Sequence, residues 1–397
     1  MIRNIKLLTP LLLGAFSVLA SCSDEPEMPS NADASKYIVF DAPKVTLIGA
    51  GSRSLLENEI DGSFKVYGYC VPRAVNDNNQ KSWASAQSTW NQKVLYSTPD
   101  IFQDQTVGSD GVYKLTGNKL REWESGNGFD PNEFRYSFIA HYPADDNSWS
   151  MNKKSDATGD MGVPELTFTM PLSGNSIDAP LSHESVKDAM YATMFDHRKT
   201  AGRVALRFEH LLSAFRFKVN NYTAFRLKIT KVVLKGSFFK SATLKFATTA
   251  VERPEASGSY AGTFNILPNG TSQEIGSQST ADTYIGASDD NNNEGVSLLL
   301  LTGINPSNVQ DYNYLGPAAL GSDEAPMLYV DYELYNEQTN NREYAYTGVK
   351  AQFRPSRPLA GTRYAANLNF VGNEFVLVFA PEGDNWEGGS DNDITIN

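Results

Sequence analysis

Cysteine is nearly absent: 397 residues contain two, Cys22 and Cys70. So small a number cannot build a disulfide framework, and the chain must be held together by packed cores. Histidine is almost as scarce. His141, His183, His197 and His210 form no i, i+4 pair and have no clustered Cys or Asp partners at ligand spacing. They read as structural residues, and neither a metal nor a cofactor is expected. No GxSxG, P-loop or dinucleotide fingerprint occurs, and no motif singles out a carboxylate pair of the glycosidase kind. The expectation is a protein that is not an enzyme. Positive charge is in deficit, with 34 Lys and Arg against 46 Asp and Glu and a formal net charge of −12. Such a surface argues against nucleic acid and against direct docking on anionic lipid. The apolar run from Leu7 to Ala20 is broken by Thr9, Pro10, Gly14 and Ser17. It is too short for a transmembrane helix.

The same run has the right length for a secretory signal, preceded by Arg3 and Lys6. Leu19-Ala20-Ser21-Cys22 resembles a bacterial lipobox, with cleavage after Ser21 and lipid attachment at Cys22. Each acyl methylene buried in a bilayer contributes about 0.8 kcal/mol, so several chains anchor a protein stably. Asp24, Glu25 and Glu27 then resemble the surface-export signal of some Gram-negative lipoproteins. Without Arg3 and Lys6 the formal charge would be −14. The remaining chain, about 370 residues, has room for two or three domains.

Beyond a polar tether at 22–35, short alternating segments are separated by Gly, Asn, Asp and Pro. Phe64, Val66, Gly68 and Cys70 share one face of GSFKVYGYC, which makes Cys70 a buried, inert thiol. FRYSFIAHYP (134–143), MLYVDYELY (327–335) and RYAANLNF (363–370) alternate similarly, as half-buried strands do. In RVALRFEHLLSAFRFKV the apolar set is Val204, Leu206 and Phe208, then Phe215, Phe217 and Val219. The parity changes around His210–Ser213, which implies a bulge or a bend between strands. Residues 80–95 and 182–195 could each hold a short helix. Short strands at roughly ten-residue spacing argue for antiparallel β-sandwiches. A boundary near residue 200 divides the chain into domains at 36–199 and 200–397.

Several segments in this order resemble the fimbrillin family of pilus subunits and their anchor and tip relatives. They are the lipobox at Cys22, YIVFDAP (37–43), the Arg53-Ser54 step and GSFKVYGYC. FIAHYP (138–143), FEHLLSAFRFKV (208–219), LAGTRYAANLNF (359–370) and Trp386 followed by ITIN complete the set. The resemblance implies an all-β chain of two transthyretin-like antiparallel Greek-key sandwiches, made as a secreted lipoprotein precursor. It implies a surface fimbrium at the outer membrane, held there by lipid and serving adhesion. The implied partners are other pilin subunits and a host or bacterial surface receptor.

The resemblance also implies maturation. An Arg-specific protease removes the first strand, and a neighbour's strand fills the groove. Here that strand is 37–48, with Tyr37, Val39, Val45 and Leu47 expected inward and Pro43 at a break. Processing is expected at Arg53, giving Ser54 as the new N-terminus, because Gly49–Ser52 is small and flexible. Arg73 is the rival, but a cut there would also remove strand 63–71. The C-terminal segment 374–397 is a candidate donor or last core strand. A second reading is a non-polymerising glycan-binding outer-membrane lipoprotein, with Trp83, Trp90, Trp123 and Trp149 as platforms. The oxygen-rich stretch Ser288–Gly295 lacks calcium-loop spacing and reads as a hairpin tip.

Overall fold

The computed structural model describes residues 33–45, 60, 62–75, 81–82, 99–115, 117, 119–126, 128–144, 147–155, 161–171, 188–245, 255–285, 297–303, 314–319, 321–356 and 358–382. The chain runs through β1 (Lys44–Val45), β2 (Ser63–Pro72), β3 (Ala74–Val75), β4 (Lys81–Ser82), β5 (Phe102–Gly108), β6 (Phe134–Tyr142) and β7 (Trp149–Ser155). Then come β8 (Met161–Thr169), β9 (Met190–His197), β10 (Arg207–His210), β11 (Leu212–Asn221), β12 (Arg226–Lys245), β13 (Glu255–Asn265) and β14 (Gln273–Ile275). The last strands are β15 (Ser279–Tyr284), β16 (Ser297–Leu301), β17 (Met327–Tyr335), β18 (Arg342–Gln352), β19 (Arg363–Val371) and β20 (Glu374–Pro381).

The fold is all-β, and the described residues contain only two short 3-10 turns besides strands. None of their helices is long and apolar enough to cross a membrane. The stretch 182–195 is not helical where it is described, since 190–197 forms strand β9. The aromatic and β-branched content there outweighs a helical reading that had no apolar stripe behind it.

The first sheet has the order β1-β10-β9-β6-β2-β5, and the second β15-β11-β19-β20 with β16 also on β11. The third has the order β18-β17-β12-β8-β7, with β13 and β14 also on β12. Strands from both sides of residue 200 therefore share sheets: β10 joins the first sheet, while β7 and β8 join that of β12.

Two apolar clusters fill the interior. The smaller gathers Phe64, Val66, Phe102, Phe138 and Phe208 on one face of the first sheet. The larger lies among the second and third sheets and reaches Tyr67, Tyr69 and Ile139 on the other face. The centre of the first sheet is thus covered on both sides, and all nine residues of β6 are buried. This corrects the half-buried pattern expected for β2 and β6. Their polar positions are buried with partners: Arg135 pairs with Asp196 at 2.7 Å. His141 stacks between Tyr67 and Trp149, with ring centroids 5.9 and 5.0 Å away.

The parity change near residue 210 marks where the chain changes sheets. β10 ends at His210 in the first sheet and β11 begins at Leu212 in the second. Phe208 accordingly packs in the smaller cluster, whereas Phe215 and Phe217 pack in the larger. At the crossing, His210 Nδ1 lies 2.7 Å from the Asp188 carboxylate, and both side chains are buried.

Candidate functional site

The segment from Asp33 to Val45 belongs to no continuous hairpin, yet it is held along both edges. On one flank the Ile38 N–H donates to the Arg121 carbonyl at 2.8 Å, and the Trp123 N–H donates to the Lys36 carbonyl at 3.2 Å. On the other flank the Val204 N–H donates to the Val39 carbonyl at 2.8 Å, and the Asp41 N–H to the Val204 carbonyl at 3.0 Å. Further along, β1 pairs in parallel with β10, Lys44 opposite Arg207 and Val45 opposite Phe208. The segment is extended chain laid into a slot, bridged at Tyr37 and Phe40 and regular strand only at Lys44–Val45, with backbone partners from residues far away in sequence.

Its side chains close the smaller cluster. Ile38, Val39 and Phe40 are at most 1% exposed. The Phe40 ring meets Phe102, Tyr113 and Phe138 with centroids 5.7, 5.7 and 5.6 Å away. Burial of side chains of this size contributes roughly 1.5–3 kcal/mol each. Of the expected inward set, Val45 packs against the cluster whereas Tyr37 is half-exposed beside Lys36, and Ile38 and Phe40, not expected inward, enter the cluster. Val39 is buried as well, so the IVF run is covered on both faces. Leu47 lies outside the described residues.

Three side chains clamp the backbone of this strand. Tyr113 Oη donates to the Ile38 carbonyl at 2.6 Å and accepts from the Arg121 N–H at 3.1 Å. Burial pushes the Tyr113 phenol up to about 12, so it stays protonated as a donor at neutral pH. Trp123 Nε1 donates to the Ala34 carbonyl at 2.8 Å. Arg203 Nη2 donates to the Phe40 carbonyl at 2.7 Å, and the same guanidinium pairs with Asp41. Gly111 lets the 108–113 loop close over the strand. Its φ is +84°, and a Cβ there would stand 2.6 Å from the Phe40 carbonyl oxygen.

The site residues read from sequence, Ser21, Cys22, Arg53 and Ser54, lie outside the described residues. So do His183, Ser288–Gly295, Trp83, Trp90 and Trp386. Cys70 is buried, with Sγ 3.6 Å from the Asp100 carboxylate. Trp123 and Trp149 are buried too, at 4% and 8% exposure, and present no open platform. His197 stacks on Trp123 at 5.9 Å and contacts the Gly202 carbonyl through Nε2. Burial lowers its pKa. No group of three or more His, Cys, Asp or Glu among the described residues could hold a metal ion. Segment 374–381 forms β20, paired with β19 along its whole length, with Phe375, Leu377 and Phe379 turned to the larger cluster.

Tyr113, Gly111 and Arg203 were not singled out in the sequence. Asp110-Gly111 is a recognisable turn signal, but nothing local says that the turn covers a strand about seventy residues earlier.

The arrangement holds an extended segment by main-chain pairing on both flanks and by an aromatic anchor. A sequence profile of the family described as fimbrillin-like matches residues 74–311. No curated protein matches the sequence. Among solved structures, a fimbrial protein from Bacteroides vulgatus ATCC 8482 is similar, with a TM-score of 0.56 and 17% identity. That alignment covers 88% of this chain and 99% of the other, and it supports the fold alone. The fimbrial anchor protein Mfa2 from Porphyromonas gingivalis aligns over 81% of this chain and 89% of its own, at 9% identity and a TM-score of 0.30.

Proposed function

This chain belongs to the fimbrillin-like family, and from that premise we propose that it is a structural or accessory subunit of a surface fimbrium, exported as a lipoprotein precursor and serving adhesion. It performs no chemistry of its own. The leader 1–21 is removed after Ser21, and Cys22 carries the lipid that anchors the precursor in the outer membrane. Arg53 lies between the described positions Val45 and Ile60. A cut there leaves the first strand attached by non-covalent contacts only.

The observation that supports this reading is the two-sided seating of residues 34–45. Departure of that strand would bare the Arg121 and Val204 carbonyls and the Trp123 and Val204 N–H groups. It would also bare the rings of Phe102, Tyr113 and Phe138 around the place of Phe40. A groove with unpaired backbone on both rims and an aromatic floor is complementary to one thing, an extended apolar strand. A strand donated by another pilin subunit fills it, and subunits join by β-strand exchange.

The test is to treat the mature precursor with an Arg-specific protease, sequence the new N-terminus and follow the product by electron microscopy. A single cut giving Ser54 as first residue, followed by filaments, is the expected result. Resistance at Arg53, or filaments from the uncut chain, would overturn the maturation scheme. Fatty-acid labelling that survives Cys22→Ala would overturn the lipid assignment.

A further inference from the structure

A second site lies at one end of the second sheet, well apart in sequence from the strand seat. The turn after β11 (222–225), the start of β18 and the β19–β20 turn at Gly372–Asn373 enclose a cleft of about 550 Å³. That size is within the range of sites that take small ligands. Its walls are aromatic. Phe225 and Tyr344 meet edge to face at 5.7 Å, and Tyr344 stacks with Tyr346 at 6.4 Å. Tyr346 stacks in turn on the buried Tyr332 at 4.8 Å.

The walls are fixed in place by hydrogen bonds that no ligand has to supply. Thr223 donates to Asn221 Oδ1 through its N–H at 3.0 Å and through its hydroxyl at 2.7 Å. Asn221 Nδ2 donates to the Phe225 and Gly276 carbonyls, each at 2.8 Å. Tyr332 Oη donates to the Asn373 carbonyl at 2.7 Å, which pins the opposite turn. A rigid cleft of this kind loses little entropy on binding.

What is left uncommitted defines the ligand. Tyr222 and Tyr344 are each 50% exposed, the only aromatic residues among the strongly exposed large apolar side chains of the described residues. Their hydroxyls, and the Asn373 amide, make no hydrogen bond among the described residues. No charged side chain lines the cleft. Ring faces offer an electron-rich surface to weakly positive C–H groups, and phenols and an amide donate and accept neutral hydrogen bonds. A phosphate or sulfate would find no cation in the cleft, and the net charge of −12 repels acidic polymers at long range. We infer that this cleft binds a neutral saccharide, whose ring C–H faces lie on Tyr222 and Tyr344 while its hydroxyls pair with the phenols and Asn373.

The test uses the mature chain on an array of neutral polysaccharides (mannan, dextran, xylan, galactan), with hyaluronan and heparin as acidic controls, followed by calorimetric titration of what binds. Binding of at least one neutral saccharide is expected, with little change in affinity at high salt. Tyr344→Ala and Tyr222→Ala each weaken it by about tenfold or more, whereas Tyr344→Phe, which keeps the ring, costs far less. Both tyrosines are half-exposed, so the alanine variants are expected to fold, and unchanged melting temperatures verify it. The inference is overturned if no neutral saccharide binds, if only the acidic controls bind, or if the alanine variants bind as tightly as the parent. It is equally overturned if those variants lose filament assembly with saccharide binding intact, because the cleft would then be a contact between protein chains.

Discussion

The hydroxyl of Tyr113 donates a 2.6 Å hydrogen bond to the carbonyl of Ile38, seventy-five residues earlier in the chain. The same oxygen accepts from the Arg121 N–H, so one phenol joins the strand to the flank beside it. Tyr113→Phe keeps the ring against Phe40 and Phe102 but leaves a buried carbonyl without its side-chain donor. The expected loss is about 1–3 kcal/mol. A lower urea midpoint with an unchanged m-value would register it as a loss of stability rather than of compactness.

Alkaline pH acts on the same residue. Burial pushes the phenols of Tyr113 and Tyr332 up to about 12, whereas an unfolded tyrosine loses its proton near about 10. Between those values the unfolded chain sheds protons that the folded chain keeps. Stability is therefore complete below about pH 10 and falls as pH rises towards about 12. Urea midpoints measured across that window should decline, and Tyr113→Phe should decline less steeply than the parent.

His197 gives the opposite dependence on the acid side. Burial against Trp123 lowers its pKa, so the folded state prefers the neutral imidazole. As pH falls below the ordinary histidine value of about 6.5, the unfolded chain gains a proton first and stability is lost. Because Trp123 donates to the Ala34 carbonyl, the loss is felt next to the first strand. His197→Gln should flatten the acid limb of a melting-temperature profile. An unchanged limb would assign the acid sensitivity to other groups.

The strand change at residues 208–219 was legible because alternation reverses sharply there, with Phe208 on one parity and Phe215 and Phe217 on the other. All-β architecture was legible for the same reason. The inward set of the first segment is legible only in part, with Val39 and Val45 expected inward but Ile38 and Phe40 not, because Ile38-Val39-Phe40 is a continuous apolar run. Such a run carries no period, and here both of its faces are buried. The double coverage of β2 and β6 was hidden as well. Arg135 and Ser137 look like solvent-facing positions, yet they are buried, Arg135 against Asp196 from a distant segment. Pairing of β8 with β12, and the seating of the first strand by Tyr113, Gly111 and Arg203, are long-range matches without any local signature.

Gly111 and Gly117 separate backbone strain from collision. Both have positive φ, +84° and +80°, but a Cβ at Gly117 meets nothing within 4 Å. Alanine at either position costs about 1–2 kcal/mol for the left-handed conformation. Only at Gly111 does the new methyl strike the Phe40 and Asp41 carbonyls. Gly111→Ala should be clearly more destabilising than Gly117→Ala in parallel urea titrations, and equal costs would mean that the loop does not hold the strand.

The seat makes its firmest prediction about the strand once it has been cut. A chain cleaved at Arg53 has no covalent link to residues 33–45, but the backbone pairs on both flanks, the Tyr113 and Arg203 clamps and the Phe40 anchor all persist. The fragment should therefore co-elute with the rest of the protein in gel filtration and leave only under mild denaturant or in exchange for a competing strand. Phe40→Ala removes a fully buried ring at a cost of about 3–5 kcal/mol, which corresponds to at least about a hundredfold weaker retention. In the cleaved Phe40→Ala protein the fragment should be lost during gel filtration, and a labelled synthetic peptide of residues 33–48 with Phe40 intact should take its place. The same peptide carrying Ala at position 40 should not. A fragment that leaves the parent as readily as the variant would show that the aromatic anchor does not govern release. Exchange through this groove would then lose its energetic basis.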